Sequence, residues 1–183
     1  VFHYINLPLP GSHNMSNALA AIAVSTALSI NVEDMVSGLN SVKSVPHRLQ
    51  LRLGIKNAMI LDDSYNANPA SYEQAIATLK TFPGEHWLVL GDFGELGVKS
   101  EEIHTGIGIK AKLAGIKRLL TIGNKSLSAN TAFGEGAIHF SDLNSIHLYL
   151  ESRLSKDITC LIKGSRFMQL DKLADWLVIS GED

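Results

Sequence analysis

Apolar positions in this chain follow two rhythms that take turns from residue 49 onward. Short apolar runs of strand length, bounded by Gly, Asn, Asp or Pro, alternate with longer stretches whose apolar residues recur every three or four positions. Leu49-Gln50-Leu51-Arg52-Leu53 alternates apolar and polar, and residues 54–57 return it as a hairpin into a strand over 58–61. Asn68 is placed to cap a helix with Pro69 at its first position, burying Tyr72, Ala75, Ile76 and Leu79. A strand over 87–90 leads to a helix capped by Ser100, with Ile103, Ile107, Ala111 and Ala114 on one face and Gly115 just past its end. A strand over 118–122, a short irregular or helical piece, and a strand over 137–140 come next. A helix capped by Ser141, a strand over 158–162 and a last helix burying Leu170, Leu173, Ala174 and Leu177 complete the chain. Strands alternating with helices of these lengths imply parallel βαβ units with right-handed crossovers. The fold class expected is α/β: a Rossmann-like, doubly wound, mostly parallel sheet over residues 48–183.

Residues 1–47 break that rhythm. The pattern predicts a strand over 1–10 running into the rigid Leu7-Pro8-Leu9-Pro10-Gly11 turn, then a helix over about 15–29 capped by Asn14. A second helix starts at Asn31 with Glu33 and Asp34 in its first turn, and Pro46 ends the pattern. One strand and two helices do not enclose a core. Residues 1–47 are therefore expected to be the helical end of a truncated domain, and a start at Val1 without methionine fits a piece of a longer protein.

Composition narrows the class. Of 183 residues, 45% are hydrophobic and 19% charged, which describes a folded globular chain. No apolar run approaches the roughly 20 residues that span a bilayer, so no membrane insertion is expected. A net charge of −2 gives no footprint for a nucleic-acid partner. The single cysteine, Cys160, sits in an apolar run and reads as a core thiol in a reducing, cytoplasmic setting.

In such a fold the strand-to-helix loops gather at the carboxyl edge of the sheet, where open α/β proteins bind ligands. That edge would collect Asp62, Asp63, Ser64, Tyr65, Asn66, Asn68, Asp92, Glu95, Asn124, Lys125, Lys163, Ser165 and Arg166. Lys163-Gly164-Ser165-Arg166 is the sharpest feature: a glycine, amides at a helix start and two cations favour a carboxylate or phosphate, although a capped helix with solvated charges reads equally well. Asp62 is expected to be structural, because neighbouring strand residues point to opposite faces. His104 either packs and caps or serves the site, and both readings stay open. Glu95 has no account at this level. A Gly-x-x-x-x-Gly-Lys-Ser/Thr phosphate loop and a Gly-x-Gly-x-x-Gly turn after a strand are both absent, and the seven histidines lack metal-ligand spacing. No metal ligand is expected within this chain.

Five motifs in order resemble the Mur ligase family. Gly11-Ser12-His13-Asn14-Met15-Ser16-Asn17-Ala18-Leu19-Ala20-Ala21 is similar to that family's Gly-x-His-Asn-x-x-Asn-Ala-x-Ala-Ala signature. Pro46-His47-Arg48 with Asp63 resembles its nucleotide-contacting Arg and Asp. Leu61-Asp62-Asp63-Ser64-Tyr65-Asn66-Ala67-Asn68-Pro69, then Leu90-Gly91-Asp92-Phe93-Gly94-Glu95-Leu96-Gly97 with His104, and Lys163-Gly164-Ser165-Arg166 look like the branch that adds D-Ala-D-Ala. Phe93 and Ser12 depart from that branch's usual residues without touching a proposed contact. The resemblance implies residues 1–47 as the end of an ATP-binding central domain and 48–183 as a complete C-terminal domain. It implies an ATP-dependent amide ligase acting through an acyl phosphate, joining D-Ala-D-Ala to UDP-N-acetylmuramoyl-tripeptide for peptidoglycan. ATP and Mg2+ are implied as cofactors, the metal held mainly by upstream sequence, in a cytoplasmic monomer. Asn17, Arg48 and Asp63 are implied nucleotide contacts, and Asn66, Asn68, Lys163, Ser165 and Arg166 the dipeptide contacts. Asp92, with Arg48, is the implied catalytic contribution, Asp92 orienting the attacking amine. Residues 1–183 alone are expected not to turn over. A sister ligase, including a folylpolyglutamate synthase-like one, and a non-catalytic Rossmann-like binding module are the alternatives.

Overall fold

The structure, a computed structural model, describes residues 2–179. The chain divides into two compact units, Val1–Val45 and Pro46–Asp183. In the first, α1 (Ser12–Ala27) and α2 (Val32–Asn40) are joined by a short turn, and neither helix buries a residue. The strand expected over 1–10 does not form among the described residues, since an extended segment without a neighbouring strand has no ladder to join. The start of α1 also differs from expectation. It begins at Ser12 behind Gly11 (φ 92°), while Asn14 lies inside the first turn and donates from Nδ2 to the Pro10 carbonyl at 2.7 Å. Asn31 caps α2 as its position suggests, its Oδ1 accepting the Asp34 amide at 2.8 Å.

The second unit is built on six strands in the order β1-β2-β6-β3-β4-β5. These are β1 (Gln50–Leu53), β2 (Met59–Asp63), β3 (Glu85–Gly91), β4 (Arg118–Ile122), β5 (Ala137–Phe140) and β6 (Ile158–Lys163). The β1–β2 hairpin is antiparallel and every other pairing is parallel. Five helices cover the sheet: α3 (Pro69–Leu79), α4 (Ser100–Leu113), α5 (Ser126–Phe133), α6 (Leu143–Arg153) and α7 (Leu170–Trp176). Strand residues alternate between two separate cores, as the pleat requires. Leu61, Leu88, Leu90, Leu119 and Leu161 meet α3, α4 and α5 on one face. Ile60, Trp87, Val89, Leu120, Cys160 and Ile162 meet α6 and α7 on the other. The chain steps outward from β3 to β5 and then returns to lay β6 between β2 and β3, which is why the helices change faces. Beside β6 the flanking connections diverge, and that is where an open sheet leaves a crevice.

In the second unit the starts of α4 and α6 also differ from the sequence expectation. A 3-10 turn, Gly97–Lys99, precedes α4, so Ser100 is its first residue rather than its cap. Asp142, not Ser141, caps α6: its Oδ1 accepts the Ser145 amide at 2.8 Å, and Ser141 donates to its Oδ2. The short piece after β4 is helical. Asn68 and Pro69 behave as expected, with Asn68 Oδ1 accepting the Ser71 amide and the Ser71 hydroxyl facing back in a reciprocal box.

Candidate functional site

Three loops border the crevice, following β2, β3 and β6. At the root of the first, adjacent carboxylates take different partners. Asp62 accepts from His47 Nδ1 (2.9 Å), Arg52 (3.2 Å) and the Ser64 hydroxyl (2.6 Å), tying the hairpin to the loop. Asp63 Oδ2 accepts from Lys163 Nζ at 2.5 Å across the β2–β6 pair, and its Oδ1 accepts the Leu49 amide at 3.2 Å. Lys163 also reaches the Asn66 carbonyl at 3.1 Å, so one ammonium fixes both strand end and loop. Burial raises the Asp63 carboxyl above its usual range against the pull of Lys163. Burial likewise lowers Lys163 from the ordinary lysine value, Asp63 opposing.

The β3 and β6 loops are laced together. Ser165 Oγ accepts the Gly94 amide at 2.8 Å, and the Ser165 amide donates to the Asp92 carbonyl at 3.1 Å. Gly91 and Gly164 make this approach possible: a Cβ on Gly164 would lie 3.1 Å from Gly91 Cα and 2.7 Å from Leu170 Cδ1. His104, fully buried on α4, holds the β3 loop from below. Its Nε2 accepts the Phe93 amide (3.0 Å) while Nδ1 donates to the Ser100 carbonyl (2.7 Å). Those partners require the neutral tautomer with the proton on Nδ1.

Above these contacts lies a cavity of about 610 Å³, inside the range of about 300–1,000 Å³ usual for small-molecule sites. Asn66, Ala67 and Asn68 line it from the first loop, Gly94, Glu95 and Leu96 from the second, and Ser165, Arg166 and Phe167 from the third. Beside it Tyr65 is half exposed, with the Arg48 guanidinium 4.2 Å and the Arg166 guanidinium 5.8 Å from its ring centre. Arg166 also pairs with Asp171 at 2.8 Å.

Four of the five residues expected to meet a dipeptide therefore share one cavity. Lys163 does not. It is fully buried and spent on Asp63 and Asn66, so it cannot reach a ligand carboxylate, and that expectation is corrected. Asp92 is also corrected in its placement. It is buried, with Oδ1 accepting the Lys125 and Ser126 amides (3.0 and 2.7 Å), so it anchors the start of α5 instead of lining the cavity. Gly123 (φ 108°) exists for this contact, since a Cβ there would sit 2.4 Å from Asp92 Oδ1. The helix start expected at Ser165 is one 3-10 turn, Arg166–Met168, ending in left-handed Gln169. Asn68 keeps its place in the cavity but commits Oδ1 to capping α3. Asn17 lies exposed on α1 in the first unit, donating to Asn14 Oδ1 at 3.2 Å. Leu96 and Phe167 as cavity walls, and Arg48 stacked on Tyr65, went unseen in the sequence. Nothing in apolar periodicity marks a loop side chain's direction.

Among the described residues one grouping, His47, Asp62 and Asp175, has metal-ligand proximity. The Arg52 guanidinium already lies between its carboxylates, 3.2 Å from Asp62 and 2.6 Å from Asp175. A cation at that point does not fit Mg2+, which needs octahedral oxygen ligands.

A family model for the Mur ligase, glutamate ligase domain matches residues 47–166. The UDP-N-acetylmuramoyl-tripeptide–D-alanyl-D-alanine ligase of Escherichia coli K12 is 41% identical over 96% of this chain and 39% of its own length. A crystal structure of MurF from Acinetobacter baumannii superposes with a TM-score of 0.85 at 30% identity, covering 95% of this chain and 40% of that one. MurF ligase from Thermotoga maritima in complex with ADP superposes with a TM-score of 0.81 at 26% identity, over 92% and 38%. The chain thus spans about two fifths of the relatives it matches.

Proposed function

This chain belongs to the Mur ligase family, and on that premise we propose that it is the C-terminal part of an ATP-dependent ligase joining D-Ala-D-Ala to UDP-N-acetylmuramoyl-tripeptide. The observation carrying this reading is the cavity that gathers Asn66, Asn68, Ser165 and Arg166 from three loops beside β6. Arg166 is the cation left for the dipeptide carboxylate now that Lys163 is accounted for. Asn66 and Ser165 supply polar edges.

The nucleotide falls to Asp63, Arg48 and Asn17 in this reading. Each Asp63 oxygen keeps a second lone pair beyond those used by Lys163 and Leu49, enough to accept from a ribose diol. Arg48 is exposed beside Tyr65, free to meet phosphate oxygens. Asp92 and Lys163 act as positioning residues, one holding α5 and the other the β2 loop. ATP supplies the phosphoryl group that activates the tripeptide's carboxylate, and this reading assigns Mg2+ to upstream sequence; among the described residues the one grouping with metal-ligand proximity is already occupied by the Arg52 guanidinium. Residues 1–47 as the end of the central domain, a cytoplasmic location and a monomer belong to the same proposal. No helix among the described residues is long and apolar enough to cross a membrane.

The test is phosphate release by this chain extended upstream to the length of its relatives. UDP-N-acetylmuramoyl-tripeptide and ATP are supplied with D-Ala-D-Ala, D-Ala, D-Glu or L-Glu. Release dependent on D-Ala-D-Ala is the expected result. Release with a single amino acid moves the chain to a sister ligase, and a folded protein releasing none leaves a binding module.

A further inference from the structure

Glu95 carries an unexplained cost. Its backbone is left-handed, at φ 59°, a conformation that side-chain-bearing residues avoid. A glycine stands immediately before it and another two positions after, yet the chain places a glutamate where glycine would be free of strain. The backbone leading into it is pinned at two successive amides. The Phe93 amide is held by His104 and the Gly94 amide by Ser165. The side chain is exposed, lines the cavity, and has no hydrogen-bond or ion-pair partner among the described residues. Arg166 lines the same cavity with the opposite charge. Strain held by a pinned loop around an unpaired charge is the pattern of a functional position.

We propose that Glu95 receives the ammonium of the incoming amino acceptor, so that with Arg166 the cavity selects a zwitterion carrying apolar side chains. This rests on the ligase reading above and deepens it. A free amino acid or dipeptide presents a cation at one end and a carboxylate at the other, the complement of this charge pair. Leu96 and Phe167 give the cavity apolar wall. Phe167 lies over Gly94, where a Cβ would come 3.2 Å from its ring. Holding the ammonium would also fix the position of the nitrogen.

The experiment uses the chain extended upstream, with whichever acceptor of the panel above supports phosphate release. Glu95→Gln is expected to raise the acceptor's KM at least tenfold and leave the KM for ATP unchanged. Glu95→Gly separates recognition from loop shape, because glycine relieves the left-handed backbone. It should match the loss in acceptor KM while its melting temperature stays at or above that of the parent. An unchanged acceptor KM in either variant overturns the assignment of Glu95 and leaves the ligase reading standing. Absence of release with every acceptor overturns both.

Discussion

Lys163 shows how one residue can be essential without meeting a ligand. Its ammonium is fully buried against Asp63, and burial moves both groups away from their charged forms. Removing one partner of such a pair strands the other charge, at a cost of about 3–5 kcal/mol. Lys163→Met is therefore expected to lower unfolding free energy by about that amount in urea titrations, and adding Asp63→Asn should recover much of it. The pH dependence has a definite sign. A carboxyl whose folded pKa lies above its unfolded one binds protons preferentially when folded, so its contribution is present at low pH and lost as pH rises through the folded value. Without Lys163 the Asp63 pKa rises further. The deficit of Lys163→Met should thus be largest near neutrality and shrink as pH falls through that raised value. A deficit that grows on acidification would mean that the pair is not what holds the β2 loop.

At the scale of elements, two glycines in α4 make opposite predictions. Gly106 has open space where a Cβ would be, whereas a Cβ on Gly108 would lie 2.1 Å from the Ala129 carbonyl of α5. Alanine is favoured over glycine inside a helix by about 0.8–1 kcal/mol. Gly106→Ala should raise the melting temperature, and Gly108→Ala should lower stability by about 1–3 kcal/mol as α5 is forced away. Equal signs would show that propensity, not helix contact, governs this face. The contrast also marks what the sequence discloses. Periodicity identified α4 and its apolar side, because burial imposes the 3.6-residue repeat on Ile103, Ile107 and Ala111. It could not distinguish Gly106 from Gly108, since their difference lies in the contact that Gly108 alone makes with Ala129 of α5. The same limit separates Asn68, legible as a cap from Pro69 beside it, from His104, whose partners at Phe93 and Ser100 converge through tertiary structure. The cavity residues fall between these cases. Topology placed Asn66, Ser165 and Arg166 at one edge, but burial of Lys163 and the inward turn of Asp92 depend on pairings that cross the sheet.

The whole molecule divides unevenly. Both hydrophobic cores lie wholly within Pro46–Asp183, while neither helix of Val1–Val45 buries a side chain. A stable fold needs apolar burial to offset conformational entropy. Residues 46–183 alone should melt cooperatively, and residues 1–45 alone should show mostly coil in far-ultraviolet circular dichroism. Catalysis is the harder demand. Phosphoryl transfer depends on electrostatic clamps placed around the moving phosphoryl group; this chain has no Gly-rich phosphate loop, and among the described residues no grouping fits Mg2+. In the proposed reading it offers a nucleotide only Asn17, Arg48 and the remaining lone pairs of Asp63. Residues 1–183 alone are therefore expected to release no phosphate from ATP above background, with or without D-Ala-D-Ala, while the chain extended to the length of its relatives does. Turnover by residues 1–183 alone would mean that a complete phosphate clamp lies within this chain, with Arg48 and Arg166 around Tyr65 the first to substitute.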